Sequence, residues 1–210
     1  LVLMKPGTTV FSAIQTGNAN TDYFETLNKK KITALGYELM EDKAHGLPIV
    51  NAMSELAGSL VIPMAAEYLS SIGGGRGIIL GGITGVPPTR VVILGAGTVA
   101  EYAARAAIGL GAEVRIFDNE IYKLRRIKQK LGNQAFTSAI DTLALSQSLL
   151  SADVVIGALR AEKGRARCVV TEEMVATMKP GAVILDVSID QGGCIETSEI
   201  TTHDLPTFTK

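Results

Sequence analysis

The sequence lacks any strong charge bias, and it is poor in cysteine. Its 210 residues carry 20 Lys and Arg against 21 Asp and Glu, a formal net charge of −1, so no overall field draws it to nucleic acid or to an anionic membrane. The one basic run, KLRRIKQK at 123–130, is read as the solvated face of a helix. Only two cysteines occur, Cys168 and Cys194, with no CxxC spacing between them. That scarcity excludes a disulfide framework and leads us to expect reduced thiols in a cytoplasmic protein. Apolar stretches are broken by charge, Pro or Gly before the roughly 20 residues that a membrane span requires, so no transmembrane segment is expected. The sequence does not open on an initiator Met, and no signal peptide is expected in it. The chain opens at Leu1 inside a hydrophobic pattern and reads as a piece of something longer.

What is present is a regular α/β alternation. With 47% hydrophobic residues, the composition is that of an ordinary globular protein. Strands are expected at VVIL (91–94), EVRIF (113–117), QAFTS (134–138), DVVIGA (153–158) and AVILDVS (182–188). Between them TVAEYAARAAIGLG, EIYKLRRIKQKLG and DTLALSQSLLS space their apolar residues as helices do, and the first two close on a glycine. Strands almost continuous in Val, Ile and Leu are buried on both faces, which indicates a doubly wound parallel sheet of the Rossmann type. Upstream, TVFSAI (9–14), a helical TDYFETLNKKK with Thr21 as its cap, and ITALGYELM (32–40) make a smaller βαβ-like piece. The expected organisation is a partial second α/β domain over 1–50, a connecting helix over 51–72 kinked at Pro63, and a nucleotide-binding domain over 73–210. Within the glycine-dense 73–88, Ile78, Ile79 and Leu80 are read as a short strand in an ordered loop.

The cofactor signal lies in VVILGAGTVAEYAARAA, where Gly95, Gly97 and Ala100 form G-x-G-x-x-A between a strand and a helix. Gly95 makes the tight turn, Gly97 leaves room for a pyrophosphate, and Ala100 lets helix and strand pack closely. The phosphates then meet a helix N-terminus, whose N–H groups and dipole favour anions. EVRIFD ends in Asp118, 21 residues beyond Gly97, against about 20 expected for the ribose-binding acid. A carboxylate there accepts ribose hydroxyls and repels a 2′-phosphate, so NAD is expected rather than NADP; the competing reading is a cap for the helix that follows. Ligands of open α/β sheets lie outside the carboxyl ends of the strands, which places Ala158, Leu159, Val187 and Asp190 near the cofactor. Asp186, inside the apolar run, is read as structural.

Taken together, MSELAG (53–58), GGRGIILGGITGV (74–86), VVILGAG (91–97), VTEEM (170–174), MKPGAVILDVSIDQGGCIETS (178–198) and TTHDLPTF (201–208) resemble the alanine dehydrogenases, relatives of the nucleotide-binding subunit of proton-translocating transhydrogenase. The resemblance implies a two-domain, typically hexameric enzyme that reversibly oxidises L-alanine with NAD to pyruvate and ammonia. It also implies NAD contacts at Ser54, Gly95, Gly97, Val99, Asp118, Lys123 and Leu159, and a catalytic Asp190 beside the nicotinamide. Thr98 and Val187 complete the cofactor-binding candidates, and no metal is expected. The transhydrogenase subunit carries a more alanine-rich segment where SIDQGGC stands here; that subunit and a related dehydrogenase of another amino acid, such as a saccharopine-type enzyme, remain the alternatives.

One departure matters chemically. The family resemblance implies a histidine after the strand corresponding to TVFSAI, whereas Gln15 stands at or beside that position, and neither His45 nor His203 lies in the motif. An imidazole moves a proton near pH 7; a carboxamide only donates and accepts hydrogen bonds. Gln15 is therefore a candidate for orienting the substrate, its competing reading being an ordinary polar loop residue. The family's carboxylate-gripping cations would lie upstream of Leu1, so the piece by itself is a candidate for an inactive fragment.

Overall fold

Val91, Val92, Ile93 and Leu94 are all buried, and their alternating directions divide the core of the molecule in two. Val91 and Ile93 join one cluster with Val114, Ile116, Val154 and Ile156, while Val92 and Leu94 join another with Val155, Leu145 and Leu149. A strand with apolar residues at both parities has both faces covered. The computed structural model describes residues 1–14, 20–160 and 167–210. The chain forms two compact units, Leu1–Ser54 and Glu55–Lys210.

In the first unit, β1 (Thr9–Ser12) pairs in parallel with β2 (Thr33–Gly36), with α1 (Thr21–Lys29) between them in sequence. The cap of α1 is Asn20, whose side chain accepts from the Tyr23 N–H at 2.9 Å, so Thr21 is the first helical residue and not the cap. Either side chain can cap, but the backbone at Asn20 is extended and that of Thr21 is already helical. The segment after β2 is a 3-10 turn, Tyr37–Leu39, which ends the expected longer strand.

Helix α2 (Pro48–Leu69) begins three residues before Asn51. Pro48 has its φ fixed and no N–H to satisfy, which suits a first helical turn. The helix continues through Pro63, which lies on the exposed side. By length and composition alone α2 could cross a membrane, whereas charge, Pro or Gly was expected to break every apolar stretch before that length. Its Val61, Ile62, Ala65 and Leu69 nonetheless belong to the core cluster under the parallel sheet, and each of the Val, Ile and Leu side chains removed from water contributes about 1.5–3 kcal/mol.

The second unit contains β3 (Arg90–Leu94), β4 (Glu113–Phe117), β5 (Ala135–Ser138), β6 (Val154–Gly157) and β7 (Val183–Asp186) in a five-stranded parallel sheet of order β5-β4-β3-β6-β7. Helices α3 (Thr98–Gly109), α4 (Ile121–Leu131) and α5 (Thr142–Leu149) connect them, and α6 (Glu172–Ala176) precedes β7. The chain winds from β3 to one side and then returns to the other, so the switch point lies between β3 and β6. Ile78–Leu80 do not form a strand. Their stretch hangs on the end of α2, where Gly77 and Ile78 both donate to Leu69 O, and Gly81 packs so closely on Leu110 that an added Cβ would lie 2.2 Å from its carbonyl oxygen.

Candidate functional site at the carboxyl edge of the sheet

The ladder of the sheet continues past the ends of its strands and sets their following residues side by side. Gly95 N–H donates to Phe117 O at 2.6 Å, Asp118 N–H to Ser138 O at 3.2 Å, Ala158 N–H to Leu94 O at 2.7 Å, and Val187 N–H to Gly157 O at 2.8 Å. Gly95, Asp118, Ala158, Leu159 and Val187 therefore share one edge, at the switch point. Gly95 has φ +109°, and a Cβ there would lie 2.4 Å from Ala158 O. Only glycine meets both demands at that turn.

Gly97 differs from Gly95. It is the N-cap of α3 with φ −83° and no side-chain cap, and a Cβ built on it meets nothing within 4 Å. Its N–H makes no hydrogen bond among the described residues, and the first-turn amides of Thr98 and Val99 follow it at a helix start that lacks intrahelical acceptors. Ala100 is fully buried beneath them. The arrangement fits a diphosphate: open space, donors without partners, and the positive end of a helix dipole.

Asp118 is only 5% exposed. Its Oδ2 accepts from Ala96 N–H at 2.7 Å and its Oδ1 from Glu120 N–H at 2.8 Å. Glu120, not Asp118, is the N-cap of α4, so the carboxylate holds the glycine loop as well as the turn into the helix. Each oxygen keeps further acceptor capacity for a ribose hydroxyl. Lys123 is half-buried in the first turn of α4, its Nζ 5.7 Å from the centre of the Tyr122 ring.

The loop after β7 is organised by Asp186. Its Oδ1 accepts from Ser188 N–H at 3.0 Å and Ser188 Oγ at 2.6 Å, and its Oδ2 from the N–H groups of Cys194 at 2.9 Å and Ile195 at 3.2 Å. A carboxylate taking this many donors is a structural knot. Gly157 completes it, since a Cβ there would lie 2.6 Å from Asp186 Oδ1 and 2.7 Å from Cys194 Sγ. Burial and the neighbouring Asp186 charge push the Cys194 thiol up to about 12, which leaves it unreactive. On top of this knot the short 3-10 turn Ile189–Gln191 presents Asp190, which is exposed and has no hydrogen bond or ion pair among the described residues.

The structure thus brings Gly95, Gly97, Thr98, Val99, Asp118, Leu159 and Val187 to one edge. Ser54 lies on α2 within the first unit, and Gln15 lies outside the described residues. A residue that the sequence reading left on the solvated face of α4 also belongs to the edge: Arg126 Nη2 donates to Ala96 O at 3.1 Å. Helical periodicity identifies an outward face but not what a long side chain on that face reaches. Another close contact lies behind the loop, where a Cβ at Gly58 of α2 would come within 2.4 Å of Val99 O. This explains the glycine of MSELAG. In the same crossing, a hydrogen bond to Glu55 raises the Tyr102 phenol above its usual value.

Strand order, glycine turn and edge carboxylate define a nucleotide-binding domain of the Rossmann type. The family model for the alanine dehydrogenase/PNT C-terminal domain matches residues 61–210, and the chain belongs to that family. The alanine dehydrogenase of Mycolicibacterium smegmatis is 42% identical over 205 residues, covering 98% of this chain and 55% of that protein. The alanine dehydrogenase of Bacillus subtilis is 39% identical over 210 residues, covering 100% and 55%. Among solved structures, an L-alanine dehydrogenase superposes with a TM-score of 0.93 at 36% identity, covering 100% of this chain and 58% of that one. A transhydrogenase from Sinorhizobium meliloti superposes at 0.78 with 25% identity, covering 93% and 57%. The chain spans about half the length of the curated relatives it matches.

Proposed function

We propose that this chain is part of an NAD-dependent enzyme that reversibly deaminates L-alanine to pyruvate and ammonia. The observation that carries the reading is the carboxyl edge of the sheet, which holds the open Gly97 amide and the buried Asp118 carboxylate, with the exposed Asp190 in the turn that follows β7. Gly97, Thr98 and Val99 would hold the diphosphate by their N–H groups, Asp118 the adenosine ribose, and Lys123, Leu159 and Val187 would flank the dinucleotide. Asp118 also selects NAD over NADP, because a buried carboxylate repels a 2′-phosphate. Ser54 is assigned to the same cofactor on the strength of the MSELAG motif. NAD, when bound, supplies the acceptor for the substrate hydride.

Asp190 has a free, solvent-exposed carboxylate that can take and return protons during the ammonia and water steps. Gln15 orients the substrate carbonyl through its carboxamide, and the proton that a histidine would have carried falls to Asp190 or to water. A homo-oligomer, a hexamer by resemblance, in the cytoplasm belongs to the same proposal. Its support is the apolar surface that α2 exposes at Met53, Leu56, Leu60 and Met64. The transhydrogenase alternative has the weaker structural likeness, 0.78 against 0.93.

The test is the whole protein with NAD and L-alanine, followed by NADH absorbance. Alanine-dependent NADH formation is expected; cofactor binding without turnover of alanine would refute the assignment of substrate.

A further inference from the structure

One side chain bonded to the glycine loop, Arg126, has no part in the proposed chemistry. Gly95 N–H is held by Phe117 O at 2.6 Å and Ala96 N–H by Asp118 at 2.7 Å. Gly97 N–H is held by nothing among the described residues. On the acceptor side, Leu94 O takes Ala158 N–H at 2.7 Å, Gly97 O takes Glu101 N–H at 3.1 Å, and Ala96 O takes Arg126 Nη2 at 3.1 Å. Ala96 is fully buried, so its carbonyl depends on that guanidinium.

Ala96 C=O and Gly97 N–H belong to one peptide unit. The unit is planar and trans, so its oxygen and its hydrogen point to opposite sides. Anchoring the oxygen on α4 therefore fixes the direction of the Gly97 N–H, on the side away from Arg126. A cation donating to the carbonyl also polarises the unit and makes its N–H a stronger donor. Asp118 fixes the preceding peptide unit through Ala96 N–H, so two successive units are clamped by one acidic and one basic side chain, both supplied by the β4–α4 segment. We propose that Arg126 is a positioning residue that pre-aims the Gly97 amide at the dinucleotide diphosphate, a role that rests on the cofactor reading above.

The experiment compares NADH binding by the intact protein with that of Arg126→Met and Arg126→Lys. Methionine keeps an unbranched stem and removes the donor; lysine keeps a cationic donor. Arg126→Met is expected to weaken NADH binding about tenfold, and Arg126→Lys to recover it to within about threefold. The ligand-free melting midpoint of Arg126→Met should fall by only about 2–6 °C, as the buried Ala96 carbonyl loses its donor, and that of Arg126→Lys by less; in steady state the loss should fall on the NAD KM more than on kcat. Equal binding by Arg126→Met, failure of Arg126→Lys to recover, or a large fall in the ligand-free midpoint would overturn the positioning role. If the unaltered protein bound no pyridine dinucleotide, the cofactor reading would fall with it; if it bound and Arg126→Met bound equally, only the role of Arg126 would fall.

Discussion

The two ends of the same five strands keep their carboxylates in opposite company. At the amino end, Asp153 accepts from Lys179 Nζ at 2.7 Å, Arg76 at 3.5 Å and the Arg90 N–H at 2.9 Å, and Glu113 is paired with Arg90 at 3.2 Å and Arg115 at 2.8 Å. At the carboxyl end, Asp118 and Asp186 accept chiefly from backbone N–H groups. Cations neutralise a carboxylate and finish its business; amides use a carboxylate to shape a loop. The amino end therefore ties its carboxylates to cations, while the carboxyl end is a moulded rim with the Gly97 amide open and Asp190 exposed in the turn beyond β7.

Substitutions should separate the two ends. The largest effect is expected for Gly95→Ala, in which a Cβ meets Ala158 O at 2.4 Å in a positive-φ turn; the fold should lose about 4 kcal/mol, read by denaturant unfolding. Asp153→Ala should cost about 2 kcal/mol, since it leaves two cations and an N–H without their acceptor, though both cations are about one-third exposed. NADH affinity of the folded fraction should be retained, because the damage is at the far end. Gly97→Ala should do the reverse, leaving the melting midpoint nearly unchanged while NADH affinity falls about tenfold or more, as the methyl enters the open space.

The smallest effect concerns acid. Partial burial pushes the Glu113 carboxyl up, but the hydrogen bonds and charges of Arg115 and Arg90 outweigh it and hold the group below its ordinary 4.5. A folded-state pKa below the unfolded one gives stability that is present above pH 4.5 and is lost as pH falls through the folded value. Melting midpoints measured downward from pH 6 should therefore fall less steeply in Glu113→Gln than in the unaltered protein.

Much of the carboxyl edge was legible because its physics is local. Continuous Val and Ile mark strands buried on both faces, and a glycine that must turn tightly at a strand end is recognisable from G-x-G-x-x-A. The strand order placing Gly95 against Ala158 follows from that pattern only through general rules of α/β winding. What could not be read was long-range. Arg126 looked like any outward cation of KLRRIKQK, yet it reaches Ala96, and Arg76 ties its glycine-dense segment to a carboxylate 77 residues away. Asn20 and Thr21 are chemically equivalent caps, so only the backbone chooses between them. The expected strand at Ile78–Leu80 failed because its neighbours satisfy their amides on the end of α2, leaving no ladder to join.

The moulded carboxyl edge is proposed as an NAD site in which Asp118 excludes a 2′-phosphate. Calorimetric titration of the intact protein with NADH and then NADPH tests it directly. Saturable one-site binding of NADH and at least about tenfold weaker binding of NADPH are expected; equal affinities, or no binding of either, would contradict that site.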